Sequence, residues 1–218
     1  MLEWLTIETE KNRNTENAMQ MEKYMKNQFT FLGIKTPERR KITTQLYKET
    51  GLHKQPFNSD LVSTLWNKDE REYQYIALDY INKQLKNFTK EHLLLFQNLI
   101  TTKSWWDTVD MLAQKPIGKI AAKSPSIIDE TIEDWSTDKN MWLRRTALLF
   151  QLKYKEKTKE KLLYEYIKRN ADSKEFFIQK AIGWALREYS KTNPISVRNF
   201  IQQNELPKLS VREGSKYL

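Results

Sequence analysis

No stretch of this chain alternates apolar and polar residues with a period of two over the length of a strand, whereas apolar residues recur at helical spacing throughout. That pattern predicts helices packed on helices, with no sheet to cover. Tyr73, Ile76, Ala77, Tyr80 and Ile81 show it best, sharing one face of a helix that opens after Asp69. Five glycines and six prolines are too few for the tight turns of an all-β chain.

The punctuation that does occur marks helix ends. Thr36-Pro37 offers a capping hydroxyl before a proline, opening a helix toward Thr50 that Gly51 ends. Asn58 or Ser59 caps the next helix, and Thr89 starts one that runs through Leu93 to Ile100. Ser104 to Asp107 has the form of a capping box, with an acid three residues after the serine. Ser124-Pro125 and Asn193-Pro194 repeat the cap-plus-proline signature, and Ser173 caps a helix from about Lys174 to Ser190. The expectation is about ten or more helices in short pairs, forming one domain over residues 1–218.

Spacing within this helical chain brings out three residues. Trp106, Arg145 and Trp184 stand 39 residues apart in each interval. That is about the length of a two-helix HEAT-type repeat, and equivalent positions of stacked repeats share a face. On the first of these helices, Trp105, Val109 and Leu112 make the apolar stripe, while Trp106 and Asp110 stand one turn apart on its flank. On the third, Ile178, Ala181, Ile182, Ala185 and Tyr189 form a buried stripe beside Trp184. Gly183 in mid-helix costs up to about 1 kcal/mol against alanine, so it marks close packing or close approach of a ligand. Each of these residues also has an ordinary use: a tryptophan in the core, or an Asp110–Arg145 bridge between repeats.

Charge indicates the partner class. The net charge is +9, and the segment from Lys139 to Lys191 holds 14 Lys and Arg against 6 Asp and Glu. A surface of that sign attracts a polyanion, although it also serves solubility. Cysteine is absent, which excludes disulfides, thiolate metal sites and cysteine nucleophiles. His53 and His92 are isolated and lack the spacing of metal ligands, so neither metal nor cofactor is expected. No signal-peptide pattern or membrane-length apolar run is apparent, and a cytoplasmic, nucleoid-associated location is expected.

Two tryptophans, a carboxylate and an arginine on one surface suit an electron-poor target, because indole faces attract cations and a carboxylate stabilises developing positive charge. At this point the blocks Ser104 to Asp110, Trp142-Leu143-Arg144-Arg145 and Phe176 to Arg187 resemble those of the AlkD family of alkylpurine DNA glycosylases. Tyr24-Met25, Phe31 to Ile34, Thr36 to Arg40 and the tail Leu209 to Glu213 fit the same family in order. Gly214 departs from it, standing where alanine is expected.

The resemblance implies an all-α, HEAT-like helical-repeat solenoid, a right-handed superhelix of antiparallel helix pairs that cradles duplex DNA. It implies hydrolysis of the N-glycosidic bond of N3- and N7-alkylated purines, without flipping of the base. Asp110 is then the catalytic carboxylate, Trp106 and Trp184 contact the damaged nucleotide, and Arg145 holds a phosphate or orients the site. Tyr24, Lys35, Arg144, Lys153, Lys180 and Arg187 are candidates to contact the DNA backbone. Lys35 draws attention because it lies beside the Gly33 turn and a helix N-terminus, a suitable place for an anion. No lysine sits in an obvious apolar pocket motif, so a monofunctional hydrolase acting as a monomer on double-stranded DNA is expected. Two other classes stay open: a non-catalytic solenoid that recognises damaged or branched DNA, and a protein-binding scaffold.

Overall fold

A computed structural model describes all of residues 1–218, and the chain is helical throughout. Its one β feature is an isolated bridge between Thr30 and Glu70. The chain divides into two compact units, Met1–Asn87 and Phe88–Leu218. No helix is long and apolar enough to cross a membrane.

The first unit contains α1 (Leu2–Lys11), α2 (Thr15–Tyr24), α3 (Thr36–Thr50), α4 (Ser59–Asn67) and α5 (Arg71–Lys83). All five residues of the predicted α5 stripe are buried. Asn58 caps α4 by accepting from the Leu61 N–H at 2.8 Å, and Gly51 closes α3 in the left-handed region at φ +63°. At the start of α3 the residue assignment shifts: Lys35 is the N-cap, Thr36 is the first helical residue, and no hydroxyl caps the helix. At α5 the N-cap is Glu70, one residue after Asp69.

A buried carboxylate organises this unit. Glu72 accepts the N–H groups of Leu32, Gly33 and Ile34 at 3.0, 2.8 and 3.0 Å. The backbone donors of the Gly33 turn are therefore taken by the protein's own glutamate. Burial pushes the Glu72 carboxyl up, against the pull of those backbone donors. Gly33 adopts φ +84°, and a Cβ there would overlap the Asn14 carbonyl oxygen. Both constraints require glycine.

The second unit contains α6 (Leu93–Thr101), α7 (Trp106–Leu112), α8 (Gly118–Lys123), α9 (Glu133–Trp135), α10 (Met141–Leu149), α11 (Glu160–Arg169), α12 (Phe176–Tyr189), α13 (Pro194–Gln203) and α14 (Lys208–Gly214). Here α7 packs on α10, α10 on α12, and α12 on α14. The three helices that carry the 39-residue spacing are thus neighbours in series. Val109, Leu112, Ile178, Ala181, Ile182 and Ala185 are buried along them, whereas Trp105 and Tyr189 are half-buried. Tyr189 instead sends its hydroxyl to Glu160 at 2.8 Å.

Several expected caps in this unit act differently. Ser104 turns its hydroxyl back to the Ile100 carbonyl at 2.6 Å, and Trp105 takes the N-cap of α7 without a side-chain bond. Ser173 lies before the Glu175 N-cap of α12, and its hydroxyl meets the Glu175 N–H at 3.3 Å. Thr89 caps a short 3₁₀ turn, Lys90–His92, that leads into α6, and Asn193 caps α13 as expected. Ser124 ends α8, and a π turn over Ile128–Ile132 follows.

Gly33→Ala combines a forbidden φ with a backbone overlap, so it is expected to destabilise the fold by about 3 kcal/mol. The midpoint of urea unfolding checks this; an unchanged midpoint would show that the turn relaxes freely.

Candidate functional site

The site is built on α7, α10, α12 and α14. Helix α7 continues through a π turn over Ala113–Ile117 into α8, with Pro116 inside the turn. Proline has no N–H to donate and its ring crowds the carbonyl four residues earlier, which accounts for the widened turn. At the far side of the turn Gly118 lets the helix close on α10, since a Cβ there would stand 2.5 Å from the Phe150 carbonyl oxygen. The Tyr154 hydroxyl donates to the Gly118 carbonyl and pins the same contact. Asp110, one turn before Ala113, is thereby held against α10.

There it meets Arg145. The guanidinium donates from Nε to Oδ1 at 2.6 Å and from Nη2 to Oδ2 at 2.8 Å, a bidentate pair. Its remaining Nη1 donates to the Phe177 carbonyl at the start of α12. Asp110 is 7% exposed and Arg145 4%. Burial pushes the Asp110 carboxyl above the ordinary aspartate range, while the hydrogen bonds and charge of Arg145 oppose that rise. The adjoining wall is aromatic: Trp105 lies edge-on to Phe177 at 4.9 Å, with Trp142 5.1 Å from the same ring. The Phe177 ring of this wall lies 5.9 Å from the Arg145 guanidinium carbon.

Beside the pair opens a cleft of about 330 Å³, lined by Trp106, Asp110, Arg145, Lys180, Trp184 and Arg187 together with Phe176, Phe177 and Glu213. Neither Trp106 nor Trp184 is in the buried core; both are half-exposed at the cleft. Six of the ten residues singled out from the sequence therefore meet in one place. Phe176 is exposed at the rim and packs edge-on against Phe177, their centroids 5.4 Å apart.

The other four residues lie elsewhere. Arg144 points away from its neighbour Arg145 and donates to the Asp138 and Lys139 carbonyls at 2.6 and 3.3 Å, tying down the turn before α10. Lys153 pairs with Glu188 at 2.9 Å and is outside the cleft lining. Tyr24 and Lys35 belong to the first unit, Tyr24 exposed at the end of α2 and Lys35 exposed at the N-cap of α3.

Phe176, Phe177 and Glu213 line the cleft without having been singled out. For Phe177 a signal existed, because Phe177, Lys180, Trp184 and Arg187 share one face of α12. For Glu213 the sequence traces are the family-like tail Leu209 to Glu213 and Gly183. A Cβ at 183 would stand 2.6 Å from the Glu213 Cβ, so the missing side chain makes room for α14. Gly214 beside it also faces α12, where a Cβ would stand 3.1 Å from that of Leu186.

The sequence profile of the family described as DNA alkylation repair enzyme matches residues 6–218. Among solved structures, one described as a predicted DNA alkylation repair enzyme from Enterococcus faecalis is 40% identical. It covers 94% of this chain and 96% of its own, with a TM-score of 0.87. AlkD2 from Streptococcus mutans is 17% identical, covering 85% of this chain and 91% of its own at a TM-score of 0.61. The protein smu.31 from Streptococcus mutans UA159 is also 17% identical, covering 83% and 99% at 0.59. These last two show a shared helical-repeat fold. No curated protein matches the chain.

Arg145→Met leaves the Asp110 carboxylate buried without its partner. The expected loss is about 3–5 kcal/mol in unfolding free energy, read by urea denaturation. A loss below about 1 kcal/mol would mean that the pair is open to water and that its burial does not govern the site.

Proposed function

The chain belongs to the DNA alkylation repair enzyme family, and from that premise we propose that it is a monofunctional DNA glycosylase. Its substrate is duplex DNA carrying positively charged N7- or N3-alkylated purines. The observation that carries this proposal is the Asp110 carboxylate, gripped by Arg145 in the wall of a cleft that Trp106 and Trp184 also line. A cationic purine leaves as a neutral base, so the site needs no strong acid beside the leaving group. What it needs is negative charge near the sugar and a wall that tolerates a cation, and the carboxylate and the indoles supply these.

The C1′–N bond breaks and its electron pair goes to the purine ring, cancelling the positive charge there. Positive charge moves to C1′ and the ring oxygen of the sugar, an oxocarbenium-like state as in glycoside hydrolysis. Asp110 stabilises it electrostatically. A water oxygen then bonds to C1′ and its surplus proton passes to the Asp110 carboxylate, whose raised affinity for protons suits that role. Arg145 keeps both oxygens oriented without exchanging a proton, since a guanidinium stays charged. Neutral purines remain poor leaving groups here, which confers selectivity without a tight base pocket. On the same reading the chain is taken to act as a monomer. The reaction is assigned to the cytoplasm, on nucleoid DNA.

One observation favours a second assignment, a binder of damaged duplex without catalysis: both Asp110 oxygens already accept from Arg145, as in a structural bridge. Base release from 7-methylguanine duplex separates the two. Asp110→Asn, compared with wild type at matched folding, is expected to slow release about 10²- to 10³-fold while binding DNA as tightly or more tightly. Release by the wild type should also decline on acidification, starting above the ordinary aspartate range, because the reactive form is the carboxylate. Equal losses of affinity and rate would make Asp110 structural. If neither protein releases base and both bind duplex in a salt-dependent way, the non-catalytic assignment stands.

A further inference from the structure

Beside the Asp110–Arg145 pair the cleft holds a second carboxylate that the mechanism above does not use. Glu213 is 6% exposed, and four cations surround it. Lys216 lies 2.7 Å away, Lys180 3.1 Å, Arg187 3.3 Å and Arg212 3.9 Å. The position is unfavourable for an acid in isolation. Glu213 stands next to the last residue of α14, at the negative end of the helix dipole. The surrounding cations outweigh that, holding its carboxyl down to about 2.

The backbone is shaped around this carboxylate. Gly183 admits α14 to α12 at a separation that any side chain at 183 would prevent. Lys180 and Arg187 lie one turn before and one turn after that point, on the face that also carries Trp184. Ser210, one turn before Glu213, donates its hydroxyl to the Gln179 carbonyl at 2.8 Å and fixes the same contact. Glu213 therefore enters between the two cations of α12 and draws Lys216 in from its own segment.

One carboxylate cannot satisfy these partners. An ammonium has three donors and a guanidinium five, so most of their capacity stays available, and positive charge remains in excess. Lys180 and Arg187 are partly exposed and both line the cleft. Without Glu213 they would repel each other and spread across the surface. With it, they are gathered at the edge of a cleft whose other walls hold Trp106, Trp184 and Asp110.

We propose that Glu213 is a positioning residue, which gathers Lys180, Arg187 and Lys216 into a pre-organised receptor for a backbone phosphodiester beside the reacting nucleotide. Pre-organisation lowers the ordering cost at binding, so a residue of the wrong charge for DNA improves its grip. The proposal rests on the assignment of DNA as the substrate, but it does not require base excision.

A coupling measurement on undamaged duplex tests it. In the wild-type background Lys180→Ala is expected to reduce the salt slope of binding by about one. In the Glu213→Gln background the same change should reduce the slope by less than half as much, because Lys180 is no longer held at the phosphate. Glu213→Asp, which keeps the charge, should restore part of the coupling, and it carries the test if Glu213→Gln folds poorly. Additive effects of the two changes, or no effect of Lys180→Ala on the slope, would overturn the proposal. Base release is scored separately on 7-methylguanine duplex. Coupling without release would retain the receptor and sink the glycosylase; release without coupling would do the reverse.

Discussion

A carboxylate and a guanidinium taken out of water together each lose several kcal/mol of hydration, roughly speaking, and regain it only if their geometry is close to ideal. Asp110 and Arg145 meet that condition with two parallel hydrogen bonds, and the third bond of Arg145 reaches the Phe177 carbonyl. This ties together α7, α10 and α12, each contributing one partner. The π turn after α7 and the glycine at 118 hold that pair in register, and the Phe177 ring lies beside the guanidinium. The pair and Phe177 both border the cleft.

The same device appears in a different form at Glu72 and at Glu213. Glu72 is deeply buried and satisfied by three backbone N–H groups, so it shapes a turn and leaves nothing for a ligand. Glu213 is satisfied by cations that remain partly exposed, so its surroundings keep donors to spare. Asp110 is intermediate: both oxygens are bonded, yet the group borders the cleft. What distinguishes the three carboxylates is the partner that compensates for burial. Backbone partners point to structure, whereas partly exposed cationic partners keep donors from which a phosphate can accept.

Helix existence and the main apolar stripes were legible in the chain because they depend on local periodicity. The α5 stripe and the α7 and α12 core positions follow from a period of 3.6 residues, and Asn58, Gly51 and Asn193 act at the ends they mark. Thr36, Ser104 and Ser173 did not cap as their sequence context suggested. A hydroxyl one or two residues off the true boundary finds another backbone partner at similar cost, as Ser104 does with the Ile100 carbonyl. Arg144 and Arg145 show the limit of composition: adjacent arginines face different ways, one tying a turn and the other buried in the site.

The sequence by itself determined that this protein is helical, basic and free of cysteine chemistry. Its equal spacing of Trp106, Arg145 and Trp184 also anticipated that three helices would present these residues together, since repeats of one length stack in register. Tertiary structure alone decided what surrounds them. Glu213 lies 68 residues from Arg145 in the chain, beyond any local period, and reaches the cleft only because Gly183 lets α14 approach α12. Likewise, which donors the Gly33 turn keeps for a ligand depended on Glu72, about 40 residues away and set on another helix. Periodicity is a property of neighbours along the chain; satisfaction of a buried charge is a property of neighbours in space, and it only becomes defined once the helices have packed.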